Sequence, residues 1–281
     1  MAAAPAALKF TYSDVKANKT ATETDSYGVN NAGAITGDYV DAKGVQHAMV
    51  LAGTKLTTFT NKNCTPLTGT GGPAGFGINT AGTVVGWCTN SSGIDISWTW
   101  TAKGFAVVNF PKSTGTQATG INDSGEVVGL YFDSVGLQHG FSKIGKTYKS
   151  FDLKGDSSTV AYGLNNAGNI AMYATTSAGG FEGAVYNAKT KAFKKYDDPN
   201  AGTTGTVAHA VNNKGDVTGT YYDSANNVHG WLFHAGKYQD INDPKGTDDS
   251  RSDGINDSIE LVGRYSTTLG GASLGFKAVV K

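Results

Sequence analysis

The sequence predicts an all-β fold: a six-bladed β-propeller of four-stranded antiparallel blades, with the last blade closed by an N-terminal strand. Three observations lead to this prediction. A ten-residue phrase occurs six times along the chain. Each unit that begins with it divides into four strand-like pieces. The last unit lacks its fourth piece, and a matching piece precedes the first unit.

The repeated phrase begins at Tyr27, and its copies read YGVNNAGAIT, FGINTAGTVV, TGINDSGEVV, YGLNNAGNIA, HAVNNKGDVT and DGINDSIELV. Its second letter falls at positions 28, 77, 120, 163, 210 and 254, which are 43 to 49 residues apart. A period in this range is typical of propeller blades and solenoid units. The content of one unit decides between the two.

The third unit divides into TGIN, EVVGLYF, LQHGFSKI and TYKSFDL. Gly, Asp, Asn or Ser stands at each break, and no piece is long enough for a helix. Four short antiparallel strands in about 45 residues are typical of a propeller blade. Six units therefore predict six blades.

The chain ends predict how the ring closes. The sixth unit stops at LGFKAVVK, its third strand, and LKFTYSDVKANKT near the start matches the fourth-strand pieces of other units. We expect residues around 8–15 to complete the last blade, since closure removes an open sheet edge. We expect residues 1–281 to form a single domain, with residues 1–7 a signal-peptide remnant or the tail of a tag.

The composition excludes several classes of partner. Lys+Arg and Asp+Glu both count 23, so the net charge is zero and no basic field draws the chain to nucleic acid or an anionic membrane. No apolar run reaches the roughly 18 residues that span a bilayer. We expect no cofactor and a monomer. We also expect a secreted, periplasmic or extracellular location, because MAAAPAALKF resembles the end of an export signal.

The two cysteines, Cys64 and Cys88, are 24 positions apart. In an exported protein they could pair, and in a cytosolic protein they would be free thiols. We expect a disulfide. CxxC spacing is absent and no histidine is near, so the cysteines offer no zinc site.

Two letters of the phrase recur for structural reasons. Asn can hold a tight turn through its own backbone, and Gly supplies a positive φ. A residue needed in every blade is structural, and six Asn on inner strands could also form a polar ring around the axis. The recurring residues are Asn30, Asn79, Asn122, Asn165, Asn212 and Asn256, then Gly33, Gly82, Gly125, Gly168 and Gly215, with Ile259 the exception. Packing between blades is the role we expect for Tyr39, Tyr131, Tyr221 and Tyr265.

GINDSGEVVGLYFDSVGLQHGF, residues 120–141, resembles the HAF-type extracellular repeat family, whose signature ends in a His-Ala/Gly-Phe triplet. The matching triplets begin at His47, His139 and His229, whereas Ile96, Glu182 and Leu274 stand at that position in the other units. The resemblance covers nearly the whole chain. It implies a repeat fold and secretion, and it implies no activity.

No motif predicts a metal site or a catalytic one. The triplet histidines begin third strands away from the axis, so they cannot converge on one ion, and we expect each to bond its local loop. DDSRSDGINDSIE resembles a calcium loop, but Arg251 occupies a ligand position. G-x-S-x-G, G-K-[ST] and H-E-x-x-H are absent. We therefore predict no metal.

The first letter of the phrase varies while its neighbours repeat, and we expect this position to open the innermost strand at the mouth of the central channel. Function tends to lie where a repeat departs from its own pattern. Aromatic faces beside polar groups suit sugars or aromatic ligands. The predicted ligand-binding residues are Tyr27, Phe76, Thr119, Tyr162, His209 and Asp253.

Three classes of function remain open. The leading one is a binding or scaffold module for a carbohydrate or protein ligand on the loop-rich face, where residues 61–75 form the longest incoming loop. The second is a lyase or hydrolase acting on an extracellular polymer, with His209 as acid or base and with Asp253 and the tyrosines assisting. The third is a structural envelope protein.

Overall fold

The computed structural model describes residues 6–65, 72–247, 249–268 and 271–281. In this part of the chain there are 24 strands, and no helix that could cross a membrane occurs. The first twelve strands are β1 Phe10–Val15, β2 Glu23–Val29, β3 Ile35–Val40, β4 Gln46–Ala52, β5 Lys55–Phe59, β6 Ala74–Ile78, β7 Val84–Thr89, β8 Asp95–Thr101, β9 Gly104–Val107, β10 Gly115–Ile121, β11 Val127–Phe132 and β12 Gln138–Ile144. The others are β13 Thr147–Phe151, β14 Ser158–Leu164, β15 Ile170–Thr175, β16 Phe181–Asn187, β17 Ala192–Tyr196, β18 Thr206–Val211, β19 Val217–Tyr222, β20 Val228–His234, β21 Lys237–Asp240, β22 Asp249–Ile255, β23 Leu261–Ser266 and β24 Ser273–Val280.

The strands form six antiparallel four-stranded blades, as predicted. Blades one to five are built from consecutive strands, β2–β5, β6–β9, β10–β13, β14–β17 and β18–β21. Blade six contains β22, β23 and β24, with β1 as its fourth strand. The first strand of each blade lies innermost, so the repeated phrase surrounds the axis.

The N-terminal strand closes the ring. β1 pairs with β24 from Phe10 opposite Val280 to Val15 opposite Gly275. The side chain of Gln239 in blade five makes two hydrogen bonds with the backbone of Leu8. The Leu8 N–H donates to Oε1 at 3.0 Å, and Nε2 donates to the Leu8 carbonyl oxygen at 2.7 Å. The prediction that residues around 8–15 complete the last blade is confirmed, and β24 has no open edge.

Each blade packs a large side chain of one strand against a small residue of its neighbour. In blade three, Phe141 lies opposite Gly129, where an added Cβ would stand 2.9 Å from the ring. Blade four reverses the sizes, with Met172 on the second strand opposite Ala184 on the third. All three side chains are fully buried. The exchange preserves the volume of the layer, which a close-packed core requires.

The Asn residues of the phrase hold both the turns and the ring. In blade three, Asn122 Oδ1 accepts hydrogen bonds from the backbone N–H groups of Ser124 and Glu126. Its Nδ2 donates to the carbonyl of the next Asn, Asn165, at 3.2 Å. The same bond links every adjacent pair of blades, from Asn30 to Asn79, Asn79 to Asn122, Asn165 to Asn212, Asn212 to Asn256 and Asn256 to Asn30. Six amides thus form a closed polar ring around the axis.

The Gly of each turn adopts the left-handed conformation that the sequence predicts. Gly125 has a φ of 80°. Ile259, the exception in the sixth copy, has a φ of 57°, which is strained for a β-branched residue. Its side chain is buried in the apolar cluster of blade six, so burial offsets that strain.

The triplet histidines bond their own blades. His47 Nε2 lies 3.0 Å from Asp41 Oδ2, and its ring stacks on Tyr39 with centroids 5.1 Å apart. His139 and His229 make the corresponding contacts in blades three and five. Among the described residues, no group of three or more His, Cys, Asp or Glu side chains could hold a metal ion.

Candidate functional site

The six variable first letters occupy one structural position, a β-bulge in each innermost strand. In blade one the register between β2 and β3 shifts between Ser26 and Gly28, so Tyr27 is the extra residue. A bulge leaves its extra residue out of the ladder and can re-aim its side chain. The five equivalent residues are Phe76, Thr119, Tyr162, His209 and Asp253. All six line one cavity on the axis.

The prediction that these residues open the strand was wrong, because the innermost strands begin earlier than the phrase. Tyr27 is the fifth residue of Glu23–Val29. The side chains lie inside the channel. Thr119, His209 and Asp253 are buried, and Tyr27, Phe76 and Tyr162 are half-buried. The cavity has a volume of about 80 Å³. It is too small to enclose a ligand of the usual size, so a ligand would rest on these residues as a floor.

The second letter of the phrase is set by the contact between neighbouring inner strands. A Cβ added to Gly163 would lie 2.6 Å from the carbonyl oxygen of His209 and 3.2 Å from the Cα of Ala210. No side chain fits there without moving the next blade. The close approach of the strands narrows the channel and brings the bulged side chains into contact.

One half of the channel floor is aromatic. Tyr27 stacks on Phe76 with centroids 4.5 Å apart, and Phe76 meets Tyr162 edge to face at 6.5 Å. Trp87, on the second strand of blade two, stacks at 5.8 Å from Phe76. Tyr162 continues the chain of contacts to His209, at 4.5 Å. Four half-buried aromatic rings therefore offer apolar faces near the mouth, those of Tyr27, Phe76, Trp87 and Tyr162.

A buried His–Asp pair adjoins the aromatic half. His209 Nδ1 lies 3.1 Å from Asp253 Oδ1 and 3.2 Å from the backbone oxygen of Ser252. The Asp253 side chain has no exposed surface, and His209 is 7% exposed. The structure therefore brings the two predicted catalytic candidates together but leaves them little access to a substrate.

Arg264 on the second strand of blade six completes the floor. Its guanidinium lies 4.9 Å from the centroid of the Tyr27 ring, a cation–π contact. Its Nη1 is 3.9 Å from Asp25 Oδ2 and 4.0 Å from Asp253 Oδ2. Both distances exceed that of a hydrogen bond. Arg264 therefore makes no hydrogen bond with either carboxylate.

Like charges face each other within two adjacent blades. Asp25 lies opposite Asp38 in blade one, and Arg251 lies opposite Arg264 in blade six. Such cross-strand pairs are destabilising by themselves. The ring closure places Arg264 of blade six beside Asp25 of blade one, where its charge also acts on Asp38. Arg264 thus joins the two repulsive pairs into one cluster of mixed charge. Asp249 holds Arg251 through two hydrogen bonds, of 2.9 and 3.1 Å.

The cluster moves the pKa values of its acids in opposite directions. Burial, together with the Asp25 carboxylate, raises the pKa of Asp38 well above its ordinary value. Burial also acts to raise the pKa of Asp253, but Arg264 and His209 outweigh it and hold that pKa below its ordinary value. Burial and the nearby Asp38 raise the pKa of Tyr27, so the phenol stays protonated. At neutral pH the floor therefore presents a neutral phenol, an arginine and an ionised Asp253.

Thr119 and the long rim loop contribute less to this floor. The Thr119 hydroxyl donates to the backbone oxygen of Ala161 at 2.9 Å, which joins blades three and four. Cys64 of the loop 61–75 forms a disulfide with Cys88 of β7, with a Cα–Cα distance of 5.6 Å. The disulfide ties this loop to β7. Residues 66–71, the middle of the loop, lie outside the described residues.

Sequence reasoning missed Arg264, Trp87 and Asp25, although a signal for the first two existed. The second strands read GDY, GWC, GLY, MYA, GTY and GRY, and the middle letter varies as freely as the first letter of the phrase. In the structure this letter is Asp38, Trp87, Leu130, Tyr173, Thr220 and Arg264. Three of them contact or adjoin the floor because the second strand lies directly behind the bulge.

Comparisons with known proteins identify the fold. No protein-family model matches the sequence, and no curated protein is significantly similar to it. A crystal structure of the lectin from the fungus Aleuria aurantia, described as a six-bladed β-propeller with a novel fucose recognition mode, has a TM-score of 0.56 and 12% identity, over 92% of both chains. SapL1 lectin in complex with alpha methyl fucoside has a TM-score of 0.58 and 10% identity, over 93% of this chain and 96% of that one. TolB from Acinetobacter baumannii has a TM-score of 0.59 and 10% identity, over 87% of this chain and 63% of that one.

Proposed function

We propose that this protein is a secreted binding module that takes a carbohydrate at the mouth of the propeller channel. The observation that carries the proposal is the contrast within one repeat. The Asn ring is the same in all six blades, whereas the bulged residues and Arg264 make the floor aromatic on one side and charged on the other.

The chemistry of the floor suits a sugar. The faces of Phe76, Trp87 and Tyr162 can pack against the C–H face of a pyranose ring. Arg264 can donate to hydroxyl or ring oxygens, because its contacts with Asp25 and Asp253 are longer than hydrogen bonds. Two of the structurally similar proteins are lectins, one of them described in complex with alpha methyl fucoside. We infer that a carbohydrate is a better candidate than a protein ligand.

The wider assignment is part of the same proposal. The Asp–His–Tyr units of blades one, three and five support membership of the HAF-type extracellular repeat family, since the signature His has a defined structural role in each. A disulfide suits an oxidising compartment, which supports a secreted, periplasmic or extracellular location. The closed ring supports a single domain that acts as a monomer, without nucleic acid, since the net charge is zero.

A glycan array tests the proposal directly. The labelled protein is applied to the array beside a variant in which Tyr162 and His209 are replaced by Ala. We expect wild-type protein to retain a defined group of glycans that the folded variant does not retain. No retained glycan, or the same glycans retained by both proteins, would contradict the proposal.

The enzymatic alternative rests on one distance, the 3.1 Å between His209 Nδ1 and Asp253 Oδ1. A histidine paired in this way could act as acid or base in a lyase or hydrolase. The pair is buried under an aromatic floor, which favours binding over catalysis. A screen against extracellular polysaccharides, with His209→Ala as control, separates the two. Depolymerisation by the wild type that the variant lacks would replace the binding proposal by the enzymatic one.

A further inference from the structure

A second cavity, of about 650 Å³, lies between blades three and four. It is lined by the Asn122 and Asn166 turns, so it lies at the turn end of the inner strands and shares none of the six bulged residues of the channel floor. Its volume is in the range of small-molecule sites. It is therefore a candidate site in its own right.

The acids that line this cavity are Asp152, whose Oδ2 lies 3.0 Å from His139 Nδ1, and Glu126. Glu126 is the one without a close basic partner. It is half-buried, and none of the described Lys, Arg or His nitrogens lies within 4.0 Å of its carboxylate. Burial raises its pKa above the ordinary value, although Asn122, Lys149 and Lys191 act in the opposite direction. A half-buried carboxylate without a close cation is costly to keep ionised.

The other blades show what is missing here. Asp216 holds the position of Glu126 in blade five and pairs with His234 at 2.7 Å, and Glu260 holds it in blade six and pairs with Lys277 at 3.3 Å. Both basic side chains come from the third strand. In blade three the residue equivalent to Lys277 is Ser142, by its register opposite Val128.

The residue equivalent to His234 in blade three is Ile144, by its register at the β12–β13 hairpin. Neither Ser142 nor Ile144 carries a charge. Both line the cavity. The space that a basic side chain fills in blades five and six is therefore open to a ligand in blade three.

The open side of the cavity is aromatic. The rings of Tyr186 and Phe193 lie 5.2 Å apart, and Phe193 is 41% exposed. The Lys191 ammonium lies 6.0 Å from the Tyr186 ring, so this wall already accepts a cation. Lys149 and Lys191 are exposed at the rim, where water and salt screen their charges.

We propose that this cavity binds a ring-sized ligand with a protonated primary amine, such as an amino-sugar unit, whose ammonium group takes the place of the missing third-strand cation beside Glu126. The carbon ring would pack against Phe193 and Tyr186. The site is independent of the channel mouth, since the two cavities share no residue.

Calorimetric titration with glucosamine, glucose and N-acetylglucosamine tests the chemistry, because the three differ at one substituent. We expect glucosamine to bind wild-type protein at least about tenfold more tightly than either neutral sugar, because only its ammonium group can donate a charge-assisted hydrogen bond to Glu126. Glu126→Gln should remove this preference. Equal affinity for glucosamine and glucose, or an unchanged preference in Glu126→Gln, would overturn the proposal, as would no binding of glucosamine.

Two further variants distinguish this site from the channel mouth. Ser142→Lys gives blade three the cation of blade six, and we expect it to fold, with an unchanged melting temperature or a higher one, and to lose glucosamine binding. Tyr162→Ala alters only the channel floor and should bind glucosamine as the wild type does. Glucosamine binding that survives Ser142→Lys but is lost in Tyr162→Ala would place the amine at the channel mouth and contradict the inference.

Discussion

Arg264 of blade six places its Nη1 3.9 Å from Oδ2 of Asp25 in blade one. The two residues belong to the last and the first blade of the ring, 239 positions apart in the sequence. This contact joins the charged half of the channel floor across the point where the propeller closes. The charge cluster therefore depends on closure, and closure brings together two like-charged pairs that no single blade would favour.

The ion pair should be measurable by a double-mutant cycle. Arg264→Met leaves Asp25 and Asp253 without their cation, and we expect it to lower the free energy of unfolding by about 2–4 kcal/mol. Asp25→Asn should cost less, because Asp25 is only half-buried. The two changes together should cost less than their sum. Strict additivity in urea denaturation would show that the two charges do not interact.

Asp38 and Asp253 should affect stability with opposite sign. The folded-state pKa of Asp38 is raised, so at neutral pH the ionisation of this carboxyl opposes folding. That penalty disappears as the pH falls towards the pKa that Asp38 has in the unfolded chain. Asp38→Asn should therefore stabilise the protein at pH 7, by on the order of 1 kcal/mol, and should have no such effect near pH 4.

The folded-state pKa of Asp253 is lowered, so its contribution is present at neutral pH and is lost as pH falls through that depressed value. Asp253→Asn should destabilise the protein at pH 7. Urea denaturation of both variants at several pH values makes the comparison. A loss of stability in Asp38→Asn at pH 7 would contradict the assignment of a penalty to that carboxylate.

The Asn ring should matter more than the exposed residues beside it. Asn122→Ala removes a buried bond to Asn165 and two bonds to the turn backbone. We expect a loss of about 1–3 kcal/mol in the free energy of unfolding. Asn166→Ala, one position beyond the ring Asn of blade four, is the matched control and should cost under about 1 kcal/mol, because its side-chain bonds with Asp123 are exposed. Equal costs would show that the ring adds nothing.

Deletion of residues 1–16 should open the ring. It removes β1, which pairs with β24 along six residues, and it removes Asp14, which bonds Lys245 at 2.6 Å and Tyr265 at 3.0 Å. We expect aggregation or a broad melting transition, because the β24 edge becomes free. Deletion of residues 1–7 keeps the strand and should melt as the full chain does. An unchanged, cooperative transition after the longer deletion would refute this role of β1.

The fold was predictable because each blade carries its own local signals. The Asn–Gly turns and the short strands between them lie close together in sequence, so one copy specifies one blade and six copies specify the ring. The closing strand was predictable because LKFTYSDV matches the fourth strands of other units. The polar ring followed from the presence of Asn in every copy.

The candidate site was only partly predictable, because it depends on contacts between blades. The six varying residues do meet on the axis, but the bulge that aims them inward leaves no separate mark in the sequence. Arg264 meets Tyr27 and Asp25 only after closure. The exchange of sizes at Met172 and Ala184 is likewise visible only once the strands are paired.

The central claim is that ligand is held at the channel mouth, and one titration tests it most directly. The best glycan from the array is titrated into wild-type protein and into the Tyr162→Ala, His209→Ala double variant, after both are shown to unfold cooperatively. We expect the variant to bind at least about tenfold more weakly, since it loses the aromatic face of Tyr162 and the adjacent imidazole of His209. Wild-type affinity in the folded double variant would contradict the account and move the site away from the channel.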